Sequence, residues 1–424
     1  MSSLQRHIAP DIHHIPKIDI PEFKTDRWSN NLQLHYLKAG SNEVLRLEIF
    51  IRAGGYYSNN ILTPGVLAKL CREGSDSYSA KVINEQLDYF GATLSLSASS
   101  DFIQLQLYCL SKHLKDLLPY IKDILCAPLL DEKSLSIIKE KEIGRLNISN
   151  QKNDFIARNT LDLHLYGPDN PFGYYPKVED IEDIKLDDIR AYYKQIMFKY
   201  PWEIILSGQY KNSILNDLKD IFGDLSFEQN NYIRLNTTVF SKPDLNYIKK
   251  LEGSNQAAIA IGQLVPKRND PNFPALAFLN ILFGGFFGSR LMKNIREDKG
   301  FTYGIYSSLR SLPLNGQWSI YTEVGLDVYN KALDEIKKEI QRLKKEEVPS
   351  EEISLVKNYI SGSFLASLDG PFSLADRFKS IHFSGMDYNY FNFYLDEVRA
   401  MNAQKILDIA NQELFNSYHE VVIA

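Results

Sequence analysis

With 424 residues, 44% of them hydrophobic and 24% charged, the chain is folded rather than disordered material, long enough for two or more domains with full cores. Lys and Arg number 48 against 53 Asp and Glu, a net charge of −5 that gives no electrostatic case for nucleic acid or an anionic membrane as a partner. The opening MSSLQRHIAPDIHHIPKIDIPEF has no apolar signal core, no later run approaches the roughly 18 apolar residues of a membrane span, and three cysteines without C-x-x-C spacing fit buried thiols in a reducing compartment, so the expected location is the cytoplasm.

Residues 1 to about 40 carry Pro10, Pro16 and Pro21 and read as an extended arm that enters a strand at Leu32 to Leu37. His13 and His14, adjacent and without an acidic partner, read as solvated. From Val44 to Ala53, Leu45, Leu47, Ile49 and Ile51 alternate with Arg46, Glu48 and Arg52, the pattern of a half-buried strand. A helix follows Gly54 and Gly55, then a second helix from about Ala80, then two strands either side of Ser99–Asp101. Leu114, Leu117, Leu118, Ile121, Ile124 and Leu125 share one face of an amphipathic helix in which Pro119 predicts a kink. In the charged helix from Glu132 to about Asn147, Glu142 beside Lys139, Lys141 and Arg145 reads as part of a solvated ion-pair face. Leu165 to Gly173 is a turn-rich loop, Leu186 to Met197 a helix, and Trp202 to Gly208 a buried strand that closes the first half. Residues 223–251 are polar and weakly patterned, as an interdomain linker would be.

Beyond that linker the order repeats. Ala257–Ile261 answers Leu47–Ile51, Pro274 to Leu282 answers the first helix, Val328 to Leu343 answers His113 to Leu125, and Glu420 to Ile423 answers Glu203 to Leu206. An offset held near 210 to 217 residues means two copies of one fold, since a solenoid would repeat every 20 to 50. The expected fold class is α+β: two homologous half-domains, 1–222 and 252–424, each a mainly antiparallel sheet covered by helices.

The stretch from Asn280 to Leu309, NILFGGFFGSRLMKNIREDKGFTYGIYSSL, carries the sharpest local signal. After Gly284, Gly285 and Gly288, Ser289 suits the N-cap of a short helix with Leu291, Met292 and Ile295 on its apolar side. Gly300 stands where a left-handed residue would end that helix, and Phe301 to Leu309 reads as a strand. Arg296 then lies in the last helical turn and Tyr303 at the head of the strand, both projecting into one mouth beneath a mobile glycine-rich loop.

The segment GGFFGSRLMKNIREDKGFTYGI resembles the part of pitrilysin-type zinc metallopeptidases that carries their arginine–tyrosine pair, nearest to the branch with mitochondrial processing peptidase and small two-subunit bacterial peptidases. The resemblance implies that Arg296 and Tyr303 are that pair, gripping substrate beside a zinc held by an H-x-x-E-H helix on another domain, with Gly284, Gly285 and Gly288 lining the substrate path. It extends to the first half, through Gly74-Ser75, Gly91-Ala92 and the LYGPDNPFG loop. Counting back from Glu73-Gly74-Ser75 puts Gly65, Ala68 and Lys69 at the first histidine, the glutamate and the second histidine. None can ligate zinc or activate water, and Lys69 sets a cation where a cation would bind. Glu142 falls near the place of the third ligand but has no metal role in this reading. None of the eight histidines (His7, His13, His14, His35, His113, His164, His382, His419) stands in H-x-x-E-H, H-E-x-x-H or an i, i+4 pair.

The expectation is a chain without a metal of its own, inactive alone: the substrate-positioning subunit of a heterodimeric zinc peptidase. Its partner would be a homologous H-x-x-E-H subunit carrying the zinc, its substrates peptides, and Arg296 and Tyr303 would act in trans. The alternative is an inert scaffold of the same fold, as the core subunits of the respiratory cytochrome bc complex are. A self-sufficient hydrolase has no motif to stand on, with neither G-x-S-x-G nor a phosphate loop in the sequence.

Overall fold

A computed structural model describes residues 18–229, 231–235 and 246–424. His13 and His14, and within the expected linker residues 230 and 236–245, lie outside the described residues. The first sheet contains β1 (Lys24–Arg27), β2 (Gln33–Lys38), β3 (Val44–Ile51), β4 (Thr93–Ala98), β5 (Ile103–Leu110) and β6 (Glu203–Gly208), in the order β1-β2-β6-β3-β5-β4. The second contains β7 (Asn246–Lys249), β8 (Gln256–Val265), β9 (Ile305–Ser311), β10 (Gly316–Gly325) and β11 (His419–Ile423), in the order β7-β11-β8-β10-β9. Each sheet is antiparallel except for one parallel pair, β2 with β6 and β7 with β11, so the repeat seen in the sequence is a repeat of topology. β7 falls inside the stretch read as linker: the second sheet begins at Asn246, where four residues pair with the last strand of the chain.

The helices of the first half are α1 (Thr63–Leu70), α2 (Ala80–Tyr89), α3 (Leu114–Cys126), α4 (Glu132–Ser149), α5 (Asn153–Tyr166), α6 (Val178–Glu182), α7 (Leu186–Ile196) and α8 (Ser213–Phe222). Those of the second are α9 (Phe273–Asn280), α10 (Tyr329–Lys345), α11 (Ser350–Ala366), α12 (Gly370–His382), α13 (Asn389–Ala400) and α14 (Ala403–Gln412). Pro119 sits inside α3, whose apolar face of Leu114, Leu117, Leu118, Ile121, Ile124 and Leu125 is buried as the spacing predicts. Cys71 and Cys109 are buried free thiols, pushed by burial up to about 12 and so inert as nucleophiles.

Each half covers one face of its sheet with its own helices and lends one helix to the other half. Leu45, Leu47 and Ile49 of β3 pack with α1, α3 and α7 in the first core, while Phe50, on the opposite face, packs with Phe23, Leu37 and Ile205 against Leu374, Ala375 and Phe378 of α12. Reciprocally, Ala257, Ile259 and Ile261 of β8 face the second core, and Ala258 and Ala260 meet Ile156, Ala157 and Leu161 of α5. The period-2 alternation of a strand thus serves two helices from two halves. The second sheet takes α5 close because its outer face is small-sided: a Cβ on Gly262 would stand 3.0 Å from Leu161 Cδ2 and 2.9 Å from the Trp318 carbonyl oxygen.

Asp162 of α5 is fixed by this crossing, with its Oδ1 accepting from Gln317 Nε2 of β10 at 2.7 Å. Burial pushes its carboxyl up to about 6, against the pull of Gln317, Arg310 and Arg158. A folded-state value above the unfolded one means that ionisation opposes folding. The contribution of this one carboxyl to stability is therefore greatest below pH 4, falls as pH rises from about 4 to 6, and stays lower above that. Asp162→Asn keeps the acceptor for Gln317 and removes the charge. It should raise stability by about 1–3 kcal/mol at pH 7 and leave it unchanged near pH 4, read from urea midpoints at the two pH values. Equal effects at both would show that the carboxyl is not strained by burial.

Candidate functional site

Two places carry the residues that the sequence singles out. The first is the helix α1, which begins with Pro64 in its first turn, where a missing N–H costs nothing. Ala68 points into the first core and is 1% exposed, so its methyl group stays inside the core. Gly65 faces open space, with nothing within 4 Å of where its Cβ would be. Lys69 reaches across to α4 and pairs with Glu142, Nζ to Oε2 at 2.6 Å, while the other carboxylate oxygen meets Arg145 at 3.2 Å. Of the ion-pair face expected for Glu142, the Arg145 partner is present, but the other partner is Lys69 of α1, while Lys139 donates to the Glu182 carbonyl. Gly65, Lys69 and Glu142 line a cavity of about 430 Å³ together with Leu62, Ser99 and Phe155.

Zinc does not fit here. Gly65 offers no lone pair, Ala68 a methyl group, and the Lys69 ammonium already occupies the one carboxylate nearby. A dication at that point would stand beside two cations on α1 and α4. Restoring the motif by Gly65→His, Ala68→Glu and Lys69→His should therefore give no efficient peptidase. Gly65 has room for the ring, but Ala68→Glu forces a larger polar side chain into a packed core at a cost of about 1–3 kcal/mol. Thermal melts of the single and triple variants, with a peptide-cleavage assay, check both statements. Robust turnover would mean that the zinc scaffold survives intact.

The second place is the segment after α9. Here Ile281–Gly285 continues α9 as a π-helical turn, so Gly284 and Gly285 belong to a packed helix end and not to a mobile loop. The reason lies in β9: a Cβ on Gly284 would stand 2.7 Å from Ser307 Oγ and 2.8 Å from Ser307 N. Gly288 follows in a tight turn. The next helix covers 290–298 and becomes π-helical over Met292–Asp298, with Leu291, Met292 and Ile295 buried as expected. Ser289 precedes it, but its buried hydroxyl finds no hydrogen-bond partner, and the residue contributes instead its carbonyl, which accepts from Lys293 N at 2.9 Å. Gly300 ends the helix at φ +65, and Phe301 N donates to Ile295 O across it at 3.0 Å, the closure that the sequence predicts.

Arg296 does lie in the last helical turn, half-exposed, with its guanidinium 4.7 Å from the ring centre of Phe287. Tyr303 is not in a strand, because β9 begins only at Ile305. The backbone at 302–304 is instead held by hydroxyls: Thr302 Oγ1 donates to Glu323 O at 2.7 Å, and Thr322 Oγ1 donates to Gly304 O at 2.9 Å. From that clamp Tyr303 projects into solvent, 95% exposed. Neither Arg296 nor Tyr303 lines the cavity at α1.

Comparison with known proteins matches residues 183–360 to the Peptidase M16 inactive domain. The chain is 23% identical over 356 residues to the uncharacterized zinc protease YmxG of Bacillus subtilis, covering 83% of this chain and 85% of that protein. It is 22% identical over 368 residues to the non-peptidase homolog YmxG of Helicobacter pylori, covering 85% and 84%. The crystal structure of a peptidase M16 inactive domain from Pseudomonas fluorescens superposes with a TM-score of 0.83, over 95% of this chain and 98% of that one, at 19% identity.

Proposed function

The chain belongs to the M16 peptidase family, the pitrilysin-type family of the resemblance, as a member of its inactive type, and on that premise we propose that it positions substrate for a zinc-bearing partner. The observation that carries this reading is Tyr303. A phenol 95% exposed, on a backbone clamped by two threonine hydroxyls, does nothing for the fold of this chain. Rigid presentation of an unused donor is what a site completed by another chain requires. Arg296, laid on Phe287 at the other side of the Gly300 turn, supplies charge-assisted hydrogen bonds to a peptide carbonyl, and Tyr303 donates its O–H to the oxyanion that develops on the scissile carbonyl. The peptide itself adds as a strand to a sheet edge of the assembled pair.

The Lys69–Glu142 pair supports the division of labour, since it leaves this half of the site without metal or base. Gly284 and Gly285 shape the helix end after α9, while Gly288 lies in the exposed turn that leads to the helix of Arg296, and this turn borders the substrate path in the proposed arrangement. An inert scaffold would also tolerate the lost zinc motif, and the name of the Helicobacter pylori relative, a non-peptidase homolog, fits both readings.

Co-expression with an H-x-x-E-H homologue from the same genome, followed by peptide-cleavage assays on each chain alone and on the pair, is the test. Turnover confined to the pair supports the proposal. A zinc-loaded partner that cleaves equally well without this chain leaves the scaffold reading in its place.

A further inference from the structure

Away from both places, three residues separated by 168 and 179 positions in the sequence meet between the halves: His35 on β2, Glu203 on β6 and His382 at the end of α12. One ring nitrogen of His35, one of His382 and a carboxylate oxygen of Glu203 all lie within 4.8 Å of one another. His382 Nε2 is 2.5 Å from Glu203 Oε2, and His35 Nε2 is 3.7 Å from the same oxygen. His35 is 2% exposed and its Nε2 has no hydrogen-bond partner, which is costly for a buried ring nitrogen.

We propose that His35, Glu203 and His382 form a binding site for a zinc-class divalent cation that links the two halves of the chain. Two imidazoles and a carboxylate are a donor set that such ions take. Bonds of about 2.0–2.2 Å in a tetrahedron put donors about 3.3–3.5 Å apart, so drawing His35 in and easing His382 away requires side-chain movements of about 1 Å. Outer partners of the usual kind already hold the ligands: Thr25 Oγ1 is 2.8 Å from His35 Nδ1, which directs Nε2 inward, and Arg52 donates to the second oxygen of Glu203 at 2.9 Å.

The fourth position opens on a cavity of about 360 Å³ lined by Arg27, Arg52, Gln33 and Tyr232 as well as by Glu203 and His382. Arg52 sets a cation beside the ion, and one carboxylate cannot balance both. The fourth ligand is therefore an anion, a hydroxide or a small carboxylate entering from that cavity. Sequence spacing could not reveal the site, and it departs from the expectation of a chain without metal. It is also independent of α1, where the donors are missing.

The test uses the full chain after dialysis against a chelator, titrated with Co²⁺ and followed by calorimetry and visible absorption. One ion per chain, with the d–d bands of tetrahedral cobalt and a rise in Tm, is expected. Glu203→Gln and His382→Ala should abolish it, and Thr25→Val, which only loosens His35, should weaken it on the order of 10- to 100-fold. Lys69→Ala should leave it unchanged. His382→Gln serves where the alanine variant fails to fold. The absence of stoichiometric Co²⁺ binding in the parent chain, or binding that survives in Glu203→Gln and His382→Gln, would overturn the proposal and leave the trio as a hydrogen-bonded link between the halves.

Discussion

Tyr303→Phe in the assembled pair is expected to lower kcat on the order of a hundred- to a thousand-fold, the loss typical of removing one donor from an oxyanion. The substitution deletes a single oxygen from a side chain that is 95% exposed, so the fold has nothing to lose by it, and Tm should not move. Arg296→Ala should behave differently. In the proposed role its guanidinium would grip substrate in the ground and transition states alike, so its loss should appear mainly in KM. It also gives up the contact with Phe287, a cation–π interaction worth about 0.5–1 kcal/mol at an exposed site, so a small fall in Tm should accompany the kinetic effect. Assembly and the partner's zinc content should be normal in both variants. Steady-state kinetics, Tm and metal analysis on the same preparations separate this from the scaffold reading: near-wild-type kcat in Tyr303→Phe would remove the substrate-positioning role.

What the sequence could show was whatever is local. Alternation in Leu45–Ile51 located β3, the apolar face of Leu114–Leu125 located α3, and Gly300 located the left-handed turn at φ +65. The fold class followed from a repeat, which needs no contact information. What depends on distant partners was harder to see. In α5, Ala157, Leu161 and Leu165 do follow a helical period, but the face they make is narrow, contains an alanine, and packs on a sheet whose strands lie about a hundred residues or more further on. Tyr303 reads as a strand residue because aromatic residues favour strands, yet Thr302 and Thr322 tie the backbone there to β10 before the ladder begins. Gly284 and Gly285 read as a loop because glycine usually marks one, whereas here Gly284 lets β9 approach a helix end and Gly285 fits against Asn280 and Ile281 of that same helix end. The pairing of Lys69 with Glu142 is legible only in retrospect: each looks like a surface charge until α1 and α4 are brought side by side.

Glu48→Ala is expected to cost about 3–5 kcal/mol of stability, the second large effect, because it removes the buried anion between Arg46 and Lys379 and leaves the two cations to share the exposed carboxylate of Asp376. Glu48 is fully buried on the face of β3 that α12 covers. Its Oε1 accepts from Lys379 Nζ at 2.6 Å and from Gln104 and Gln106, and its Oε2 lies 3.0 Å from Arg46 Nε. Without it, Arg46, itself 3% exposed, keeps Asp376 and the Phe372 carbonyl on the α12 side and the Tyr108 hydroxyl on β5. Lys379→Ala should cost less, since Glu48 then still faces Arg46, and replacing Arg46, Glu48 and Lys379 together by apolar residues of similar volume should restore most of the loss. Urea unfolding at constant m value gives the size. It also tells whether the halves separate, because α12 is what the second half lends to the first, and two resolved transitions in Glu48→Ala would show that this network couples them. The consequence reaches the proposed site. Arg296 and Tyr303 ride on the half that α12 anchors, so their placement against a peptide held by a partner depends on the halves keeping one orientation. Glu48→Ala should then lower kcat/KM of the pair at temperatures where the chain is still folded. A destabilisation under 1 kcal/mol would mean that water or side-chain rearrangement replaces the carboxylate and that the halves are held by their apolar contacts alone.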